Sequence, residues 1–147
     1  MTQYLLDTDI CVELLRHNER VITGIETAGR ENCFVSEITI AELFYGAAKS
    51  GREENFDDVQ RIQDLFEVVP LRPSLRKYGV TKAHLMAKGI SVGEFDLLVG
   101  SCAVHNNMTM VTSNLKHFAH IPDIQLEDWA QKSKHKSQNI QKKNRLQ

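Results

Sequence analysis

Residues 4–16 read YLLDTDICVELLR, and this stretch decides the fold. Tyr4, Leu5 and Leu6 form a short apolar run that ends abruptly at Asp7, the pattern of a strand closed by a polar residue. Beyond it, Ile10, Cys11, Leu14 and Leu15 recur at helical spacing and share one face. The same alternation continues outward. Strand-like runs are expected at Tyr4-Leu5-Leu6, Cys33-Phe34-Val35, Val68-Val69, Met108 to Thr112 and Ile124 to Leu126. Between them, helical faces are formed by Val21, Ile22 and Ile25, by Val59, Ile62, Leu65 and Phe66, and by Leu75, Tyr78, Leu85 and Met86. Strands alternating with helices predict an α/β fold: a parallel sheet of about five strands sandwiched between helices in three layers.

Two further helices have legible ends. Ser36 fits an N-cap for a helix running through Ile38 to Ala48, with Gly51 as its natural stop. A nearly all-apolar helix, Leu97 to Val104, is expected to open at Asp96.

The chain has 147 residues, 41% of them hydrophobic, enough for one core and one domain. Cys11, Cys33 and Cys102 are odd in number and set among apolar neighbours, so they read as reduced core residues. With no apolar run long enough to span a bilayer and no basic leader at the start, a cytoplasmic location is expected. The formal charge of −1 hides an asymmetry, because six basic residues follow Asp128, the last acidic one. Removing those six from the 18 basic residues leaves 12 against 19 acidic ones, a body of net charge −7. The expected division is a body through residue 130 and a basic, mobile tail from 131 to 147.

An acidic body is a poor vehicle for a polyanion unless metal ions or basic segments reverse the field locally. That directs attention to the carboxylates. Open parallel sheets bind ligands beyond the carboxyl ends of their strands, where Asp7 and the Thr112-Ser113-Asn114 turn fall. Glu42 is the only charged side chain between Ile38 and Ala48, and a buried, unpaired carboxylate costs several kcal/mol. Taken singly, each acid has a plain structural reading. Asp7, with Thr8 and Asp9, also fits a helix cap; Asp96 fits another; Glu42 also fits an ion pair with Arg16 or Arg72. Together they place three acids from three segments near one sheet edge. Clustered carboxylates call for a cation, and oxygen-only ligands suit Mg²⁺ or Mn²⁺.

At this point the chain resembles a family. YLLDTDICVELLR is similar to the opening strand and helix of PIN domains, VSEITIAELFYGA to their second acidic segment and GEFDLLVGSCAV to their third. MTMVTSNLKHFAHIPDIQLEDW resembles the closing portion of the toxin ribonucleases of VapBC-type toxin–antitoxin pairs. The resemblance implies a PIN-like sandwich that hydrolyses RNA with Mg²⁺ or Mn²⁺. It implies Asp7, Glu42 and Asp96 as metal-binding acids and Thr8 as the small hydroxyl beside the first. It also implies a homodimer silenced by a cognate VapB-type antitoxin. Asn114 falls where many members carry a fourth acid, which departs from the pattern while keeping an amide oxygen in the catalytic group.

Other readings are kept beside this one. A strand ending in D-x-D also begins phosphatases of the haloacid-dehalogenase kind, with Asp7 as nucleophile, but no GDxxxD-like motif follows. A third reading is a binding module that has kept the fold and lost activity through Asn114. His117 and His120 read as surface histidines, Glu13 and Arg16 as an i, i+3 pair, and Phe34, Phe44 and Tyr45 as core.

Overall fold

The structure is a computed structural model and describes residues 1–131. Five strands form one parallel sheet: β1 (Tyr4–Leu6), β2 (Cys33–Ser36), β3 (Glu67–Val69), β4 (Thr109–Val111) and β5 (Leu126–Glu127). Their spatial order is β3-β2-β1-β4-β5, so the first strand of the chain is the central one. The chain steps outward from β1 through β2 to β3, then returns to the other side of β1 for β4 and β5. Between β1 and β4 the winding therefore reverses, and a crevice opens at their carboxyl ends.

Alternation along the strands divides the core in two. Leu6, Val35 and Val111 point to one face and pack with α1 (Thr8–Leu15), α2 (Glu19–Ala28), α3 (Glu37–Ser50) and α4 (Glu54–Leu65). Leu5, Phe34 and Met110 point to the other, against α5 (Leu75–Ala87), α6 (Glu94–His105) and α7 (Leu115–Phe118). The result is the expected three-layer sandwich.

The caps of α3 form as read: the Ser36 hydroxyl accepts the Thr39 N–H at 3.1 Å, and Gly51 ends the helix in the left-handed region, φ 70°. The three cysteines are free and buried. Burial, aggravated by Asp7 and Asp9, raises the Cys11 thiol far above its ordinary range.

Four local expectations need correction. The fifth strand begins at Leu126, two residues late, because the Ile124 N–H turns back to the Ile121 carbonyl. Helix α6 opens at Glu94 with Gly93 as its cap, and the Gly93 carbonyl accepts the Leu97 N–H at 2.9 Å, so Asp96 sits inside the first turn. Leu75 and Met86 are exposed although Leu85 on the same helix is buried. Phe44 and Tyr45 likewise lie on the outside of α3, Tyr45 the more open of the two. The basic tail expected from residue 131 falls, from residue 132 onward, outside the described residues.

The body closes on itself at its end. The Trp129 ring lies 5.1 Å from the Tyr4 ring and over Gly24, where an added Cβ would stand 2.7 Å from ring carbons. Only glycine at position 24 lets the indole reach α2.

Candidate metal and active site

Asp7 follows β1 directly, and its N–H still donates to the Val111 carbonyl of β4 at 2.9 Å. The residue is therefore anchored between the two strands at which the winding reverses. Its carboxylate is engaged at both oxygens. Oδ1 accepts the Thr8 N–H at 2.9 Å and caps α1, while Oδ2 accepts the Thr112 hydroxyl at 2.9 Å from the end of β4. Burial raises its pKa to about 7, the neighbouring Asp9 adds to the rise, the two hydrogen bonds oppose it, and Asp96 adds a smaller push.

Glu42 projects from α3, half-buried. Its compensation comes from a hydroxyl and not from an arginine: Thr8 Oγ1 donates to Glu42 Oε1 at 2.7 Å. Thr39 Oγ1 lies 3.3 Å from the same hydroxyl, so the start of α3 supports the start of α1. Asp96 reaches in from α6. Its Oδ2 lies 3.2 Å from Nδ1 of His117, an exposed histidine on α7.

Asp7, Glu42, Asp96 and Asn114 all line one open cleft of about 390 Å³. Thr8, Asp9, Val12, Glu13 and Arg16 complete its wall, from α1 and its C-cap. Glu13 and Arg16 make the i, i+3 pair read from the sequence, at 3.7 Å.

Asp9 is the residue that sequence reasoning passed over, counted only as part of a cap. Its Oδ2 accepts the Ser113 N–H at 2.8 Å, lies 3.4 Å from the Thr112 hydroxyl and 3.3 Å from Nδ2 of Asn114. It thus fixes the turn after β4 and aims Asn114 at the cleft. Burial raises its pKa, the Ser113 and Ile10 N–H groups and the Thr112 hydroxyl oppose the rise, and Asp128 adds to it. The D-x-D spacing was the available signal. His117 had none, since nothing in the spacing of residues 96 and 117 announces that α6 and α7 bring them together.

The donors facing the cleft are carboxylate, amide and hydroxyl oxygens, a set that suits a hard divalent ion and not a thiolate-seeking one. A buried aspartate crowded by two others is stabilised in its charged form by such an ion. Among the described residues no three Asp, Glu, His or Cys side chains converge as they stand on one ion position. Each acid is turned to a protein partner: Asp7 to Thr112, Glu42 to Thr8, Asp96 to His117. Closing on an ion requires side-chain rotation, which half-exposed Asp96 accommodates most readily.

Residues 4–124 match the PIN domain family. The chain belongs to that family. This PIN-domain chain is 35% identical over 130 residues to the ribonuclease VapC2 of Rickettsia felis, a span of 86% of this chain and 97% of the relative. It is 31% identical over 131 residues to the tRNA(fMet)-specific endonuclease VapC of Salmonella typhimurium, spanning 88% and 99%. Among solved structures, the R. felis VapBC2 complex bound to a promoter DNA fragment superposes with a TM-score of 0.81 at 33% identity, covering 87% of this chain and 99% of the other. The DNA-bound VapBC of S. typhimurium gives 0.81 at 31%, covering 88% and 99%. Family membership sets aside the haloacid-dehalogenase reading of the D-x-D stretch. No helix among the described residues is long and apolar enough to cross a membrane.

Proposed function

We propose that the PIN-domain chain is a metal-dependent ribonuclease, the toxin of a toxin–antitoxin pair, in which Asp7, Glu42 and Asp96 hold Mg²⁺ or Mn²⁺ and Asn114 assists. The observation that carries this reading is the convergence of four remote segments on one cleft at the reversal of the sheet. The relatives named as ribonucleases support the reaction class, and the complexes they form support a VapB-type antitoxin as partner.

The ion, when bound, supplies positive charge to phosphoryl oxygens and acidifies water. The chain's own residues do the rest. Asp7 is the rigid acid, immobilised by the Thr8 N–H and the Thr112 hydroxyl, so little orientation remains to be lost when it binds. Thr8 acts as a positioning residue, holding Glu42 at the cleft from the facing helix. Asp9 positions the Ser113-Asn114 turn, which presents the amide of Asn114 beside the acids. A homodimer, which would set two such clefts in one particle, belongs to the same proposal, as does action in the cytoplasm.

The test is cleavage of a mixed pool of transfer and messenger RNA by the purified full chain with Mg²⁺, with Mn²⁺ and with EDTA. Cleavage that requires a divalent ion and disappears in Asp7→Asn and Asp96→Asn, both folded by circular dichroism, is the expected result. Undiminished cleavage in EDTA overturns the metal assignment. RNA binding without cleavage under every condition leaves the non-catalytic module as the reading. Co-purification with the product of a neighbouring short open reading frame tests the antitoxin.

A further inference from the structure

The cleft poses an electrostatic problem that its acids do not solve. Asp7, Asp9, Glu13, Glu42 and Asp96 line it, and Arg16 is the one lysine or arginine among its lining residues. A single divalent ion leaves the wall negative, while an RNA strand brings a charge at every phosphate. The phosphates beside the scissile one need a cation of their own.

Arg16 is built to supply it. Helix α1 forms one wall of the cleft through Thr8, Val12 and Arg16, spaced four residues apart on one helical face. Asp7 caps its first turn and Arg16 caps its last, which separates the two positions by about 13 Å along the axis. Arg16, at the C-cap one residue past the helix, still lines the same cleft as the acids. The partial negative charge at a helix C-terminus also favours a cation at position 16.

Its guanidinium is not committed elsewhere. The side chain is 72% exposed, and its ion pair to Glu13 spans 3.7 Å, well beyond the 2.7–2.9 Å of a good charge-assisted hydrogen bond. Glu13 is itself engaged, with Oε2 accepting from Asn18 Nδ2 at 2.8 Å. An exposed pair of that length contributes little to stability, so releasing it costs little.

Resting on the nuclease reading above, we propose that Arg16 is the phosphate-binding residue of the cleft, taking the non-bridging oxygens of a phosphate next to the scissile one. Its planar fork matches such oxygens two at a time, which a lysine cannot do.

The test uses the full chain and a fluorescent single-stranded oligoribonucleotide. Binding is followed in Asp7→Asn alone and combined with Arg16→Gln or Arg16→Lys, with Mg²⁺ and a range of salt. Arg16→Gln should raise Kd about tenfold and flatten the plot of log affinity against log salt by about 0.7, the value for one phosphate contact on a single strand. Arg16→Lys should keep the salt slope and recover part of the affinity. In the otherwise wild-type chain, Arg16→Gln should raise KM and leave kcat within about twofold, since the contact is made equally before and during reaction. A wild-type chain that cuts no RNA defeats the nuclease reading itself. A chain that cuts RNA while Arg16→Gln keeps the wild-type KM and salt slope defeats the proposal alone, as does a fall in kcat at constant KM.

Discussion

Replacing Asp7 by Asn should stabilise the metal-free protein, and by an amount that grows with pH. Both hydrogen bonds of the side chain survive the change. Asn caps helices as well as Asp does, and its amide can donate to the Thr112 hydroxyl, which then turns its own proton to Asp9 Oδ2, 3.4 Å away. What the substitution removes is the charge. The folded protein holds Asp7 at a pKa of about 7 against an ordinary value of 3.8, so between those limits the folded state binds the proton that the unfolded state has released. Stability is then lost as pH rises, and linkage puts the loss at roughly 2 kcal/mol at pH 5 and roughly 4 kcal/mol at pH 8. Asp9 remains in both proteins, so the difference between them reports Asp7 together with its coupling to Asp9. In EDTA, Asp7→Asn should gain roughly 2 to 3 kcal/mol more at pH 8 than at pH 5, several degrees in Tm for a chain of this length. Adding Mg²⁺ at pH 8 should close the gap by stabilising the wild type. Thermal melts at the two pH values, with and without the ion, decide the matter. A small loss of stability in Asp7→Asn that is the same at pH 5 and pH 8 would refute the reasoning and leave Asp7 as an ordinary cap.

Three further outcomes are expected. Asn114→Asp places a carboxylate where Nδ2 now lies 3.3 Å from Asp9, so it should lower the Tm in EDTA while reducing the Mg²⁺ needed for half-maximal RNA cleavage; no change in either removes residue 114 from the site. Gly24→Ala puts a methyl 2.7 Å from Trp129 ring carbons and should destabilise by about 1–3 kcal/mol, read by urea unfolding, with Trp129→Ala in the same chain relieving most of the clash. A chain ending at Gln131 should keep the Tm of the full chain and bind RNA with a flatter salt dependence, one step for each tail lysine that meets a phosphate; an unchanged slope would make the tail a bystander.

Much of the fold is legible because its signals are local. A three-residue apolar run closed by Asp7, a serine before α3 and a glycine after it each act through their own neighbours, and the structure uses them as read. The acids could be assembled because the rule for parallel sheets converts positions along a chain into one edge in space. What escaped depends on neighbours that are distant in sequence. Helical spacing groups Leu75 with Leu85, but whether a face is covered is decided by the elements packed against it, and Leu75 meets none that bury it. Asp9 looks like a spare cap until β4 arrives beside it with the Ser113 N–H. Glu42 required a partner, and the sequence offered arginines; the one used is a threonine hydroxyl from the first turn of another helix.

The central position of β1 bears on how such a protein is made. Tyr4 to Leu6 leave the ribosome well before β4, yet one flank of that strand is filled only by β4, and Asp7 gains its Thr112 partner 105 residues later. Until then the first acid lacks its Thr112 anchor, Asp9 has no turn to hold, and Asn114 does not exist. Domains fold as units once their sequence is out, and pairings between the ends of a chain form last. A cleft wired in this way cannot assemble until residues 112–114 have been made. Synthesis must pass Asn114 before the product can cut anything, and a binding protein made beforehand has that whole interval in which to be ready.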